Sequence, residues 1–244
     1  MIIFFKSIFL DQDTLKKIKL MNGKGMIINI FPDDPFNILN PIISNVNFLK
    51  SLEHFDVFCI WSKNIKKKID SRFRVKTIYL PFGYDSLNKV RYVNYYKKKP
   101  QINFIGTCDK NRMEIIKSIK IKKIINGGNW DKLKIGNLTN YEIGKHIYGK
   151  KINKLMDESA ISLNILRVQN YTSHNMKSFE IPSNNGLMLT TRSKEQDHFF
   201  RENRSCYMYS TKKELNKKID YILLNPQKAK IVRKNGFNQV KKHS

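Results

Sequence analysis

Short apolar runs alternate with helical patterns from one end of the chain to the other, and this alternation is what most narrows its possible folds. Ile2–Phe5, Met26–Phe31, Val57–Trp61 and Val75–Leu80 read as strands, with helices expected over Asp13–Met21, 43–52 and a short Lys-rich stretch capped by Ser62. Asp13 reads as the N-cap of the first helix, and Gly23 stands just past its end. Between Tyr84 and Pro100 the rhythm weakens into a polar, aromatic stretch that reads as a linker. It then resumes with strands at Ile102–Ile105, Ile121–Ile125, Ile161–Ile165, Leu187–Thr190 and Tyr207–Tyr209. The intervening helices are expected over Arg112–Ile119, Lys151–Glu158, Met176–Ile181 and Lys194–Arg201. Thr211-Lys-Lys-Glu214 matches a capping box opening a helix to about Leu224, and Pro226 starts a last one.

Strands separated by helices imply parallel sheets made of right-handed βαβ units. Two such sets predict an α/β protein with two Rossmann-like domains whose sheets face each other across a cleft. The expected domains are residues 1–98, including the linker, and residues 99–244. In such sheets ligands sit at the carboxyl ends of the strands, so the residues following each strand carry the function.

Three groups stand at those ends. Asp33 and Asp34 in FPDDPF are held between prolines. They could accept a proton from an acceptor hydroxyl or bind a sugar hydroxyl, or they could form an Asx turn. Gly106 in FIGTCDKNR marks a tight turn before a helix whose N-terminus favours an anion, with Arg112 on its first turn. The segment is not GxGxxG, which argues against a dinucleotide site. The densest stretch is Asn164–Glu195, NILRVQNYTSHNMKSFEIPSNNGLMLTTRSKE. Its polar loop runs from Asn164 past Arg167 to a helix starting near His174, Asn175 and Met176. That helix start supplies free N–H groups for a diphosphate, with Lys177 and Arg167 offsetting its charge. Glu180, one turn on, could accept hydrogen bonds from vicinal ribose hydroxyls. In the plainer alternative His174 and Lys177 are solvated and Glu180 only complements the helix dipole.

This stretch resembles the signature of CgeB-like glycosyltransferases, relatives of the group-one GT-B enzymes. HNMKSFEIPSNNGLMLTTRSKEQDHFF carries the resemblance, with SLNILR, TKKELNKKIDYIL, FIGTCDKNR, NIFPDDPFN and YLPFGYD in support. It implies a GT-B fold with no essential metal or other cofactor. The C-terminal domain would hold the nucleotide of a sugar donor: Glu180 on the ribose, Lys177 and Arg112 on the diphosphate, Glu195 near the donor. Gly106, Asn164, Arg167, His174 and Asn175 complete the expected donor site. Asp33, Asp34 and His174 are the catalytic candidates, with the acceptor docking near the two aspartates. That acceptor would be a sugar, a lipid-linked molecule or a protein. Thr172 stands where retaining relatives often carry a second Glu, so the stereochemical outcome stays open. Family members usually begin with a further βαβ portion, so the resemblance implies an N-terminally shortened first domain and, as an alternative function, an inactive nucleotide-binding remnant.

Charge supports a competing view. The net charge is +26 with 46 Lys and Arg against 20 Asp and Glu, which attracts nucleic acid, anionic lipid or phosphorylated substrates. The excess is mainly Lys, rich Ile and Asn accompany it, and codon bias writes the same mixture. The cations are scattered rather than clustered, and no zinc-finger spacing, RNP sequence or helix-turn-helix signal appears, so no specific nucleic-acid partner is expected. Peripheral contact with anionic membrane at the inner face remains compatible. Cys59, Cys108 and Cys206 are odd in number and widely spaced, which fits a reducing compartment rather than a disulfide or zinc framework. No apolar stretch approaches the length of a membrane span, and MIIFFKSIFL lacks the features of a signal peptide. A cytoplasmic enzyme is the expectation.

Overall fold

The computed structural model describes residues 1–87, 92, 99–130 and 140–243. The chain divides into two compact units, Met1–Pro81 and Phe82–Ser244. The expected linker, Tyr84–Pro100, lies largely outside the described residues.

The first unit builds a four-stranded parallel sheet from β1 (Ile2–Phe5), β2 (Ile27–Phe31), β3 (Val57–Ile60) and β4 (Lys76–Tyr79), in that spatial order. Helices α1 (Gln12–Asn22), α2 (Val46–Ser51) and α3 (Lys63–Asp70) connect the strands, with a 3-10 turn at Leu52–His54 after α2. Every residue of β3 is buried, as expected of a central strand covered on both faces. Phe31, Phe48, Phe55 and Phe58 form an aromatic core, with Phe31 stacked on Phe48 at 4.8 Å between ring centres. Asp56 ties layers together: one carboxylate oxygen accepts from the Ile27 amide and the other meets Lys19 of α1 at 2.7 Å.

In this unit two helix starts differ from expectation. Asp11, not Asp13, caps α1, because its Oδ1 accepts from the Thr14 amide at 2.8 Å. Asn45 caps α2 by accepting from Phe48, so that helix begins at Val46 rather than near 43. Gly23 does terminate α1, at φ +57°.

In the second unit the strands are β5 (Lys99–Ile105), β6 (Lys122–Asn126), β7 (Tyr141–Gly144), β8 (Ser159–Asn164), β9 (Met188–Thr191) and β10 (Tyr207–Tyr209). They form one parallel sheet in the order β10-β9-β8-β5-β6-β7. Helices α4 (Lys110–Lys117), α5 (Lys150–Glu158), α6 (Lys177–Ser183), α7 (Lys194–Phe199), α8 (Lys212–Leu224) and α9 (Pro226–Val240) complete it. β7 has no counterpart in the sequence-based assignment. The core gathers Ile102, Phe104, Ile161, Leu163 and Leu189 from the strands against Ile116, Leu215, Ile219 and Val232 from the helices. The chain starts the sheet at β5, winds outward to β7, then returns to β8 on the other side of β5. The strand order therefore reverses between β5 and β8, and the loops following those two strands open at the switch point, where open α/β sheets bind ligands.

Candidate functional site: the strand ends of the second unit

The loop after β5 is shaped by close backbone approach. A Cβ on Gly106 would stand 3.0 Å from the Phe104 ring, and the Gly106 carbonyl accepts from Trp130 Nε1 at 2.8 Å. Gly127, after β6, holds φ at +146°, and a Cβ there would stand 2.2 Å from the Gly106 carbonyl oxygen. Only glycine meets both demands. Asp109 then caps α4, accepting from the Arg112 amide at 2.9 Å.

Arg112 is buried, and its guanidinium is occupied by carbonyls. Nε and Nη2 donate to Ile165 O at 3.2 and 2.9 Å, and Nη1 donates to Thr107 O at 2.9 Å. The side chain thus staples the loop after β5 to the loop after β8. Burial, reinforced by the like charge of Arg167, lowers the pKa of Arg112, while Asp109 opposes the shift. Arg167 is more exposed, with Nε 4.0 Å from the same Asp109 carboxylate.

A second network builds the entry to α6. Asn164, the last residue of β8, and Asn175 exchange two side-chain hydrogen bonds of 3.0 Å each. Asn175 Oδ1 also accepts from the Ser178 amide at 3.1 Å, which fixes the first turn of α6. Ser178 Oγ continues the chain to Gln196 of α7 at 2.8 Å. His174 is fully buried. Its Nε2 accepts from the Phe82 amide at 3.2 Å, which leaves the ring proton on Nδ1, facing Glu195 Oε2 at 3.1 Å. Ser173 Oγ donates to that same carboxylate oxygen at 2.8 Å. Glu195, itself buried, therefore gathers Ser173 and His174 onto α7.

Lys177 and Glu180 stand apart from this buried web. They form an i,i+3 ion pair of 2.6 Å through Glu180 Oε2, with both side chains partly exposed. Glu180 lines a cavity of about 200 Å³ together with Tyr84, Asp85, Asn153, Ser183 and Asn184. Tyr84 and Asp85 lie in YLPFGYD, whose resemblance pointed there without naming them as donor residues. Asn153 gave no signal, since it sits on a helix whose face cannot be judged before the sheet order is known.

The expected residues of this unit thus fall into three groups. Gly106 and Arg112 follow β5, and Arg167, on the loop after β8, reaches the Asp109 carboxylate beside them. Asn164, His174, Asn175 and Glu195 form the buried web. Lys177 and Glu180 pair on α6, and Glu180 borders the cavity. Asp33 and Asp34 belong to the first unit. Asp33 pairs with Lys6 at 2.7 Å, and Asp34 makes an Asx turn, its Oδ1 accepting from the Phe36 amide at 3.0 Å. Burial raises the pKa of Asp34 against the opposing pull of that amide and of Lys68. Among the described residues no group of three or more His, Cys, Asp or Glu is placed to hold a metal ion. No helix among them is long and apolar enough to cross a membrane.

Solved structures share this architecture at low identity. Sucrose-phosphate synthase from Thermosynechococcus elongatus superposes with a TM-score of 0.70 at 12% identity, over 93% of this chain and 66% of that one. TarM gives 0.68 at 12%, over 93% and 50%. Anabaena HepE in complex with UDP gives 0.67 at 12%, over 99% and 74%. The chain therefore spans less than two thirds of the length of the first two. These likenesses are of fold: an α/β protein with two parallel Rossmann-like sheets, as in GT-B glycosyltransferases. No curated protein gives a significant match. The family model for glycosyl transferase-like proteins matches residues 106–244, from the glycine after β5 to the last residue. That match covers more than half of the sequence, and the protein belongs to the glycosyl transferase-like family.

Proposed function

We propose that the protein transfers a sugar from a nucleoside-diphosphate sugar to an acceptor, and that its second unit holds the donor. The observation that carries this reading is Glu180, paired with Lys177 and lining a cavity, on the helix that opens after β8 at the switch point. Family membership supports it. So do neighbours of the same fold described in complex with UDP, UDP-glucose, or UDP and GlcNAc.

In this reading the carboxylate of Glu180 accepts hydrogen bonds from vicinal ribose hydroxyls. Lys177 and Arg167 face the diphosphate with the amides of the loop after β8, and no essential metal takes part. Arg112, Asn164, Asn175, His174 and Glu195 act as positioning residues, since their polar atoms bond to the protein around that loop. The acceptor, a sugar, lipid-linked molecule or protein, docks on the first unit near Asp33 and Asp34. Within the family, the stretch 174–200 groups the chain with CgeB-like members.

Calorimetry with UDP, GDP, TDP and ADP tests the donor site. One of them binds, and Glu180→Ala weakens it by about tenfold or more, the cost of losing hydrogen bonds to a charged acceptor. If none binds, or if Glu180→Ala binds as wild type does, the reading fails. Release of free nucleotide from the matching NDP-sugar then separates turnover from binding alone.

A further inference from the structure

The second unit carries another concavity, of about 520 Å³, which shares no lining residue with the cavity at Glu180. It lies between the loop after α7 and helix α9. Arg201, Arg204 and Lys242 line it with His198, Asn238 and Gln239.

Its walls are fixed by backbone and amide contacts. Arg201 O accepts from the amides of Arg204 and Ser205, at 3.2 and 2.9 Å, closing a tight turn. Asn235 of α9 donates to Arg204 O at 3.0 Å, and Gln239 donates to Phe199 O at 3.1 Å. Gly236 lets the helix approach this closely: a Cβ there would stand 2.6 Å from Ser205 O. The loop is therefore held against α9 at both ends of the groove.

The charge of the groove is one-sided. Arg201, Arg204 and Lys242 are exposed and make no ion pair among the described residues. The neighbouring carboxylate, Glu202, is turned to other partners: it bonds Arg192 through both oxygens and Lys218 at 2.9 Å. No Asp or Glu lines the concavity. Two guanidinium forks beside an ammonium and side-chain amides suit an anion that carries more than one charge and several acceptor oxygens. One arginine is enough to satisfy a carboxylate, whereas a phosphoryl group can engage both forks.

We propose that this groove binds a phosphoryl group, with Arg201 and Arg204 bridging its oxygens and Lys242 closing the third side. The group could be presented by a phospholipid headgroup or by a soluble phosphate, and the two sources are separated by experiment. The full chain is titrated with inorganic pyrophosphate by calorimetry. It is also sedimented with phosphatidylcholine vesicles with and without phosphatidylglycerol. The variants are Arg201→Gln/Arg204→Gln, Lys242→Gln, and a charge-matched control on exposed α1, Lys16→Gln/Lys17→Gln.

Loss of about tenfold in affinity in the arginine pair, a smaller loss in Lys242→Gln, and near-wild-type binding in the control support the site. Binding to phosphatidylglycerol vesicles without binding of pyrophosphate assigns the lipid source; binding of pyrophosphate assigns the soluble one. Equal loss in the arginine pair and the control overturns the site in favour of diffuse charge. Absence of any binding by wild type overturns it outright. Melting curves matched to wild type keep a folding defect from imitating the loss, and Lys242→Gln supplies the test should the arginine pair melt early.

Discussion

Arg112 marks where the sequence stops being readable. A basic residue on the first turn of a helix after a strand invites assignment to a diphosphate, and nothing local distinguishes that from a structural brace. The difference is burial: the carbonyls of Ile165 and Thr107, which occupy the guanidinium, lie 53 and 5 residues away in sequence. Arg112→Met orphans both carbonyls in a buried place, at a cost of about 1–3 kcal/mol each. The melting temperature should therefore drop markedly in calorimetric scans, while the nucleotide affinity of the remaining folded protein falls less than in Glu180→Ala. A fall in affinity with unchanged stability would instead put Arg112 on the ligand. Gly127 is the companion case. Both its positive φ and its contact with Gly106 O forbid a side chain, so Gly127→Ala should destabilise by about 2 kcal/mol or more, read as a reduced denaturant midpoint.

At the level of elements, the sequence specifies strands and caps well when the signal is local. Ser62 and Thr211 accept from the amides three residues on, as their spacing requires. Thr211→Ala should cost about 1 kcal/mol through loss of the α8 cap, measured by denaturant unfolding. The capping box closes less regularly than its pattern implies: Glu214 accepts from the Ser210 amide and pairs with Arg192. Strand β7 left no trace in the pattern because an edge strand of four largely exposed residues needs no apolar alternation. The cavity at Glu180 was only half legible, since the helix carrying Asn153 and the segment carrying Tyr84 meet only in the folded unit.

The C-terminal turn offers a pH test at this scale. His243 accepts from the Tyr84 amide through its carbonyl, while its ring faces Phe179, Phe199 and Phe200. Burial first, then the electrostatic influence of the neighbouring His198, Lys242 and His174, lowers its pKa below the ordinary imidazole value. Glu195 also lies in this neighbourhood, bonded to His174. Below about pH 6.5 the unfolded chain then binds the extra proton more readily than the folded one. Stability contributed by neutral His243 is complete above that pH and is lost as the pH falls towards the lowered value. His243→Gln keeps the backbone bond and cannot titrate, so its melting temperature should fall less than that of wild type between neutral pH and pH about 5. Parallel pH profiles for the two proteins would remove His243 from the account.

For the whole molecule the dominant physical fact is the charge of +26. Many of the cations are paired or bonded locally, as with Lys6, Lys19, Lys66, Lys99 and Arg192. The remainder still form a field that attracts any polyanion. Duplex DNA should bind, and the logarithm of its affinity should fall linearly with the logarithm of salt, with a slope of about −0.9 per phosphate neutralised. A field of this kind reads no bases, so duplexes of different sequence should give the same slope and the same affinity at each salt concentration. Competition between duplex and nucleotide then tests where the specific chemistry lies. Nucleotide held at Glu180 should persist at salt concentrations that release the DNA, because hydrogen bonds to ribose carry no counterion release. A duplex preference that survives at high salt would shift the assignment from sugar transfer to nucleic-acid recognition.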